Sequence, residues 1–413
     1  MKRLVLSLIS LLRFDEFTKA AESVLSFEIT SRALFLGWLS AVGTKSALFL
    51  LAGMTGLMAV ATPSEAAQTF KVVLRFNGGN GAQPWAALIR DNQDNLYGTT
   101  VGGGDYGVGV VFKLHHGKET VLHSFGSVSG DGEFPETSLV RDGAENLYGS
   151  TSGEDGHDRV FKFGADGHYS ILLDHGSEDL TIDSAGNLYG SWANEVFKVD
   201  PDGKESVLYT FADGINVNGD LVVLRGGNIY GTTYQGGTYG RGTIFKLSKS
   251  GKLTSLYTFT GGTDGGFPMA GMIRDKAGNL YGTTSAGGEK CLHNSDGCGT
   301  VFKLAIGGHL SVLYKFKGLP DGNGPLGRLV MDASGNFYGT TEYGGFACRN
   351  YVKNGCGTVF KIDDAGKETI LHRFKGGDGA SIRAGLLLNP KGNLYGTAVE
   401  GNSTFGTVFK LIQ

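Results

Sequence analysis

Nine histidines and four cysteines are the side chains here best suited to nucleophilic, redox or metal chemistry. The histidines stand at no metal-ligand spacing. His123 and His372 fill a slot that Tyr209, Tyr257 and Tyr314 occupy in equivalent stretches, and they read as packing variants. His175 lies in a degenerate copy of that stretch, whereas His157 and His293 fall in long connecting segments and are the histidines best placed to meet a ligand. The cysteines form two local pairs, Cys291 with Cys298 and Cys348 with Cys356. An even count at short spacing reads as two disulfides, each pinning one loop. A shared zinc site competes with that reading, but six and seven intervening residues exceed the usual spacing.

Oxygen ligands offer a second chemistry. Asn80, Asp131, Asp213, Asp264, Asp321 and Asp378 each stand near glycine, shortly after a recurring Phe. Such groups gathered around one axis would suit Ca2+, a hard cation that takes several oxygens. Asp-Gly and Asn-Gly are equally ordinary turn formers. Trp85 and Trp192 each occur once, close to connectors, and are candidate ligand contacts. No Gly-x-Ser-x-Gly elbow, phosphate loop or dinucleotide fingerprint is present. No catalytic residue, resident metal or organic cofactor is therefore assigned, and Ca2+ is the one ion worth considering.

These residues must be positioned by a strongly repetitive chain. A Leu-Tyr-Gly-like triplet begins at Leu96, Leu147, Leu188, Ile229, Leu280, Phe337 and Leu394. A Val-Phe-Lys-like signal follows each time, with its Phe at 112, 161, 197, 245, 302, 360 and 409. A third signal of the Val-Leu-Tyr-Thr-Phe type recurs from Leu74–Phe76 to Ile370–Phe374, with Ile171–His175 its degenerate copy. Seven copies at about 49 residues each fall in the range of propeller blades. Each unit reads as four short strands, in the fifth Ala270–Arg274, Asn279–Thr284, Gly299–Leu304 and Leu310–Phe316. The first two are joined by an Asp-x-x-Gly-Asn turn whose Asp can accept backbone N–H bonds. The folded part opens on a fourth-strand signal and closes on a third-strand signal, so the termini complete each other in a ring. The expectation is all-β: a single seven-bladed β-propeller of four-stranded blades over 68–413, closed by Val72–Phe76 pairing with Thr407–Leu411.

Composition agrees. The chain has 413 residues, 69 of them Gly and only 8 Pro, without the Gly-X-Y period of collagen. Eleven per cent aromatic residues is too many for a disordered glycine linker. A net charge of −3 gives no basis for nucleic-acid binding. Residues 1–67 lack the repeats. Lys45, the apolar run 46–61 and Ala66-Ala67 describe a secretory signal peptide near 45–67, after whose cleavage no transmembrane anchor remains; an uncleaved anchor is the competing reading. Neither this run nor Ala33–Val42 alone reaches the length that spans a bilayer.

Asp275–Thr284, then Gly287-Gly288, then Gly299–Leu304 resemble the GloVer tandem repeat, which marks the choice-of-anchor group of exported bacterial proteins. The resemblance covers residues 70–413 and implies export and a propeller-like array. The group's biochemical role is undefined, so no functional residue follows from it. Two features depart from the group: the chain ends at Gln413 without a hydrophobic anchor, and Trp192–Glu195 replaces a Gly-Gly connector.

All length variation lies in the two long connectors of each unit, which would share one face of the ring. The expected function is an exported monomeric binding or scaffold module, periplasmic, cell-surface or extracellular. It engages a glycan, peptide or protein through that face. The alternative is a lyase or hydrolase with a His and cation site at the channel mouth, by fold analogy with streptogramin-lyase-like propellers.

Overall fold

Short β-rich runs punctuated by glycine turns build a seven-bladed propeller in the computed structural model, which describes residues 68–413 apart from 128–129, 154–157, 292–294, 349–352 and 402–404. The targeting segment expected at 1–67, and His157 and His293, lie outside the described residues. Each blade is a four-stranded antiparallel sheet. Blade 1 comprises Ile89–Arg90, Leu96–Thr100, Val110–His115 and Lys118–Ser124, from the axis outward. No helix occurs among the described residues, and hence none long and apolar enough to cross a membrane.

The turn between the inner and second strands is fixed by side chains. Asp275 Oδ1 accepts the Asn279 backbone N–H at 2.8 Å, and its Oδ2 accepts Asn279 Nδ2 at 2.7 Å and the Tyr281 hydroxyl at 3.0 Å. Asp91, Asp142, Asp183 and Asp332 repeat this arrangement. Burial opposes ionisation of these carboxyls, but the converging donors outweigh it and hold them below the usual range. Tyr281 is pushed up to about 12, first by burial and then by its bond to Asp275. The repeated tyrosines thus tie the turn to the second strand, with a lysine of the third strand over the ring in six blades, as Lys303 lies 5.6 Å from the Tyr281 centroid.

Consecutive blades are joined by edge-on aromatics. The Phe ending each outer strand meets the third-strand Phe of the next blade, as Phe125 meets Phe161 at 5.3 Å and Phe316 meets Phe360 at 5.0 Å. His175 takes the place of that Phe at the seam between blades 2 and 3, 5.2 Å from Phe197. The inner strand of blade 5 is shorter than the sequence suggests. In blade 5 the ladder begins at Ile273 rather than Ala270, because the preceding segment runs along the channel wall. There Gly271 approaches the Asp220 backbone of blade 4 so closely that a Cβ would lie 2.6 Å from its nitrogen.

The ring closes as the sequence requires. Thr69–Arg75 pairs antiparallel with Thr407–Ile412, Val72 opposite Phe409 and Thr69 opposite Ile412. Both cysteine pairs are disulfides, with Cα separations of 5.2 Å and 6.0 Å.

Candidate functional site at the channel mouth

The inner strands of all seven blades line a central cavity of about 1030 Å³. The chain enters each inner strand from a long connector and leaves it by the Asp-Asn turn. The first residues of each inner segment therefore face the long-connector mouth, and the last face the turn side. At the turn end stand Arg90, Arg141 and Arg274. Arg90 and Arg141 pair locally with Asp94 and Glu145. Ile89, Val140, Ile273, Val330 and Leu387 make the middle apolar.

The connector end carries the charge. Glu136, Glu178, Asp179 and Asp220 share it with Arg328, Arg383 and Trp85. Arg328 Nη1 donates to Asp220 Oδ2 at 2.9 Å across the channel from blade 6 to blade 4. Arg383 is held from behind: its Nε donates to Oε1 of the buried Glu342 at 2.9 Å, and Ser381 Oγ donates to the same oxygen at 3.2 Å. Its guanidinium carbon lies 4.6 Å from the Trp85 ring centroid, so the two planar groups form one stacked unit at the mouth. The Trp85 Nε1–H is buried without a hydrogen-bond partner.

Burial raises the Glu136 and Glu178 carboxyls, Glu178 further through Glu136. Asp179 is pushed well above its ordinary value, first by burial and then by neighbouring Asp220. Carboxyls that hold their protons more tightly than usual, guanidinium groups and an indole therefore sit together in a concave mouth. Such a set donates and accepts hydrogen bonds in planar pairs and offers one aromatic surface.

Of the residues singled out from sequence, Trp85 is in this mouth. Trp192 is not: it packs against the apolar core of blades 2 and 3, 6.0 Å from the His175 ring. The six repeated Asp and Asn residues do not surround the channel, because the connectors that carry them begin at the outer strands. Asp131 accepts His123 Nε2 at 3.1 Å and the Ser127 N–H at 3.2 Å. Asp378 accepts His372 Nε2 at 2.9 Å. Asp264 and Asp321 accept the hydroxyls of Tyr257 and Tyr314 at 3.1 Å and 3.0 Å. Asn80 Nδ2 donates to Glu119 Oε2, and Asp213 is exposed in the turn 212–215. His123 and His372 are thus more than packing variants; each also binds a connector carboxylate. Burial favours the protonated form of Asp131 and Asp378, yet the histidine hydrogen bonds prevail and lower both. Among the described residues, no three His, Cys, Asp or Glu are grouped to hold a metal, and no histidine lines the channel.

Sequence reasoning missed Glu136, Glu178, Asp179, Asp220, Arg328 and Arg383. Their one available signal is position: each lies within three residues before the inner-strand hydrophobic residue that precedes the Asp turn, where the units carry different residues.

The propeller is shared with solved structures at low identity. Virginiamycin B lyase from Staphylococcus aureus superposes with a TM-score of 0.60 at 12% identity, over 84% of this chain and 99% of that one. Extracellular domains assigned to two hybrid two-component systems of B. thetaiotaomicron give TM-scores of 0.58 and 0.55 at 11% and 12% identity. They are covered over 83% and 84% of this chain, which spans 39% and 42% of those longer chains. These likenesses show the fold alone. No curated protein matches the chain. A family model described as the Gloeobacter/Verrucomicrobia repeat matches residues 55–195, 180–349 and 291–413.

Proposed function

The chain belongs to the Gloeobacter/Verrucomicrobia repeat family, and from that premise we propose that it is an exported, monomeric binding module. Its ligand seats in the long-connector mouth of the channel. The observation that carries this reading is the Trp85–Arg383–Glu342 unit. Glu342 fixes Arg383 over the Trp85 indole while the guanidinium side chain stays 37% exposed at the mouth, which supports use of the pair's open face. Prior fixing of both groups lowers the entropy cost of binding. Two disulfides suit an oxidising compartment outside the cytoplasm. The ligand classes open to such a mouth are a glycan, a peptide or a protein segment.

Glycan and peptide arrays probed with the protein, with and without chelator, test the reading. Trp85→Ala and the charge-keeping Arg383→Lys are expected to abolish the strongest signal, with circular dichroism showing that both variants keep the parent's β-sheet content. Retention of binding in both variants would refute the mouth as the site. A second reading, a hydrolase, is favoured by the raised Glu136, Glu178 and Asp179 carboxyls, which suit a general acid. It requires turnover of a ligand found on the array, lost in Asp179→Asn.

A further inference from the structure

The aromatic residues left exposed by the fold are unevenly placed. Tyr106, Tyr239, Phe346 and Phe405 are 57%, 59%, 47% and 52% exposed, and all four lie in connectors between second and third strands, on the long-connector face. Among the described residues no Phe, Tyr or Trp is comparably exposed on the turn face.

Three of the four sit on consecutive blades, Phe346 on blade 6, Phe405 on blade 7 and Tyr106 on blade 1, one per blade in the same connector. Each rests on a neighbouring connector rather than projecting freely. The Phe405 ring lies against Gly78, where a Cβ would meet it at 3.4 Å, and the base of the Tyr106 side chain lies against Gly126, where a Cβ would meet Tyr106 Cβ at 3.1 Å. Lys375 Nζ is 5.6 Å from the Phe346 centroid. The same three blades supply Leu326, Arg383 and Trp85 to the mouth.

We propose that this sector binds a neutral polysaccharide, with Phe346, Phe405 and Tyr106 as stacking platforms along the rim and Trp85–Arg383 receiving the chain at the mouth. The inference rests on the binding reading above and narrows it to one class of ligand. Separated flat rings among glycine, threonine and aspartate suit pyranose units, which offer an apolar C–H face to an aromatic ring and hydroxyls to planar carboxyl and guanidinium groups. A polyanionic glycan would meet four carboxyls and two guanidiniums at the mouth, more acidic than basic groups. Successive weak platforms on one polymer act together through effective concentration.

Affinity gels cast with mixed-linkage β-glucan, galactomannan or arabinoxylan, and with alginate as the anionic counterpart, read this directly. Retardation by at least one neutral gel is expected. It should fall by roughly tenfold in the double variant Tyr106→Ser, Phe405→Ser, whose melting temperature should stay within a few degrees because each side chain is about half exposed. No retardation by any neutral gel, retardation by alginate alone, or full retention in the double variant would each overturn the proposal. A peptide signal lost in Trp85→Ala without polysaccharide retardation sinks the glycan assignment but keeps the mouth as a binding site. Silence from every ligand class sinks both.

Discussion

Glu368 shows what a single residue does at a seam between blades. Where the next blade presents a glutamate to the seam, a neutral or basic group usually meets it: Asn80 binds Glu119, and His175 binds Glu205 at 2.9 Å. At the seam of blades 5 and 6, Glu368 instead neighbours Asp321, which is bonded to Tyr314, with Lys317 and Arg373 the nearby cations. Asp321 Oδ1 and Glu368 Oε1 are both buried without a hydrogen-bond partner. Burial and then the Asp321 charge push Glu368 from 4.5 up to about 7. Because the folded state holds this proton more tightly than the unfolded chain, this group's contribution to stability is greatest at low pH. It falls as pH rises from 4.5 through 7, and the full cost is present above that. Glu368→Gln is therefore expected to stabilise the protein by about 2 kcal/mol at pH 8 and by almost nothing at pH 4. Urea unfolding at the two pH values measures this, and an equal gain at both would remove the ionisation argument.

Within a blade, the Leu-Tyr-Gly triplet and the Val-Phe-Lys signal are two halves of one contact. Gly282 lies directly across from Phe302, whose ring covers it; a Cβ there would stand 2.7 Å from Cζ. All seven blades repeat this, from Gly98 under Phe112 to Gly396 under Phe409. Gly282→Ala should cost about 1–3 kcal/mol by overpacking a fully buried ring. The second change Phe302→Leu should then cost less in the Gly282→Ala background than in the parent, read as a positive coupling in a double-mutant cycle by thermal melts. Additive losses would show that some other contact demands the glycine. Such elements were legible because a contact needed seven times is written seven times. The mouth was not legible for the same reason reversed. Glu136, Asp179, Asp220, Arg328 and Arg383 occupy positions the fold leaves free, so each unit fills them differently and no periodic signal exists. The repeated acids that periodicity did expose, such as Asp264 and Asp321, proved to brace connectors at the outer strands.

For the whole molecule, one strand decides whether seven sheets make a ring. Thr69–Arg75 covers the open edge of Thr407–Ile412 and also reaches both neighbouring blades. Phe70 stacks on His372 of blade 6 at 3.7 Å, Arg75 Nη1 donates to the Gly377 carbonyl at 2.8 Å, and Phe76 meets Phe112 of blade 1 at 5.3 Å. Without it, the long Thr407–Ile412 edge would be free to pair with another chain, the hazard that closure removes. The channel mouth depends on the same strand, since Trp85 of blade 1 and Arg383 of blade 7 face each other across that seam. Deleting residues 68–76 is therefore expected to give soluble oligomers or precipitate and to abolish mouth-dependent binding together. A circular permutant separates pairing from mere chain length. Ile412 stands opposite Thr69, so moving 68–76 behind Gln413 needs only a hairpin turn and restores every contact of the strand. The permutant should be monomeric by light scattering and melt within a few degrees of the parent, whereas the deletion should not. If the permutant behaves like the deletion, closure requires the natural entry of the chain into blade 7, and strand pairing alone does not hold the ring.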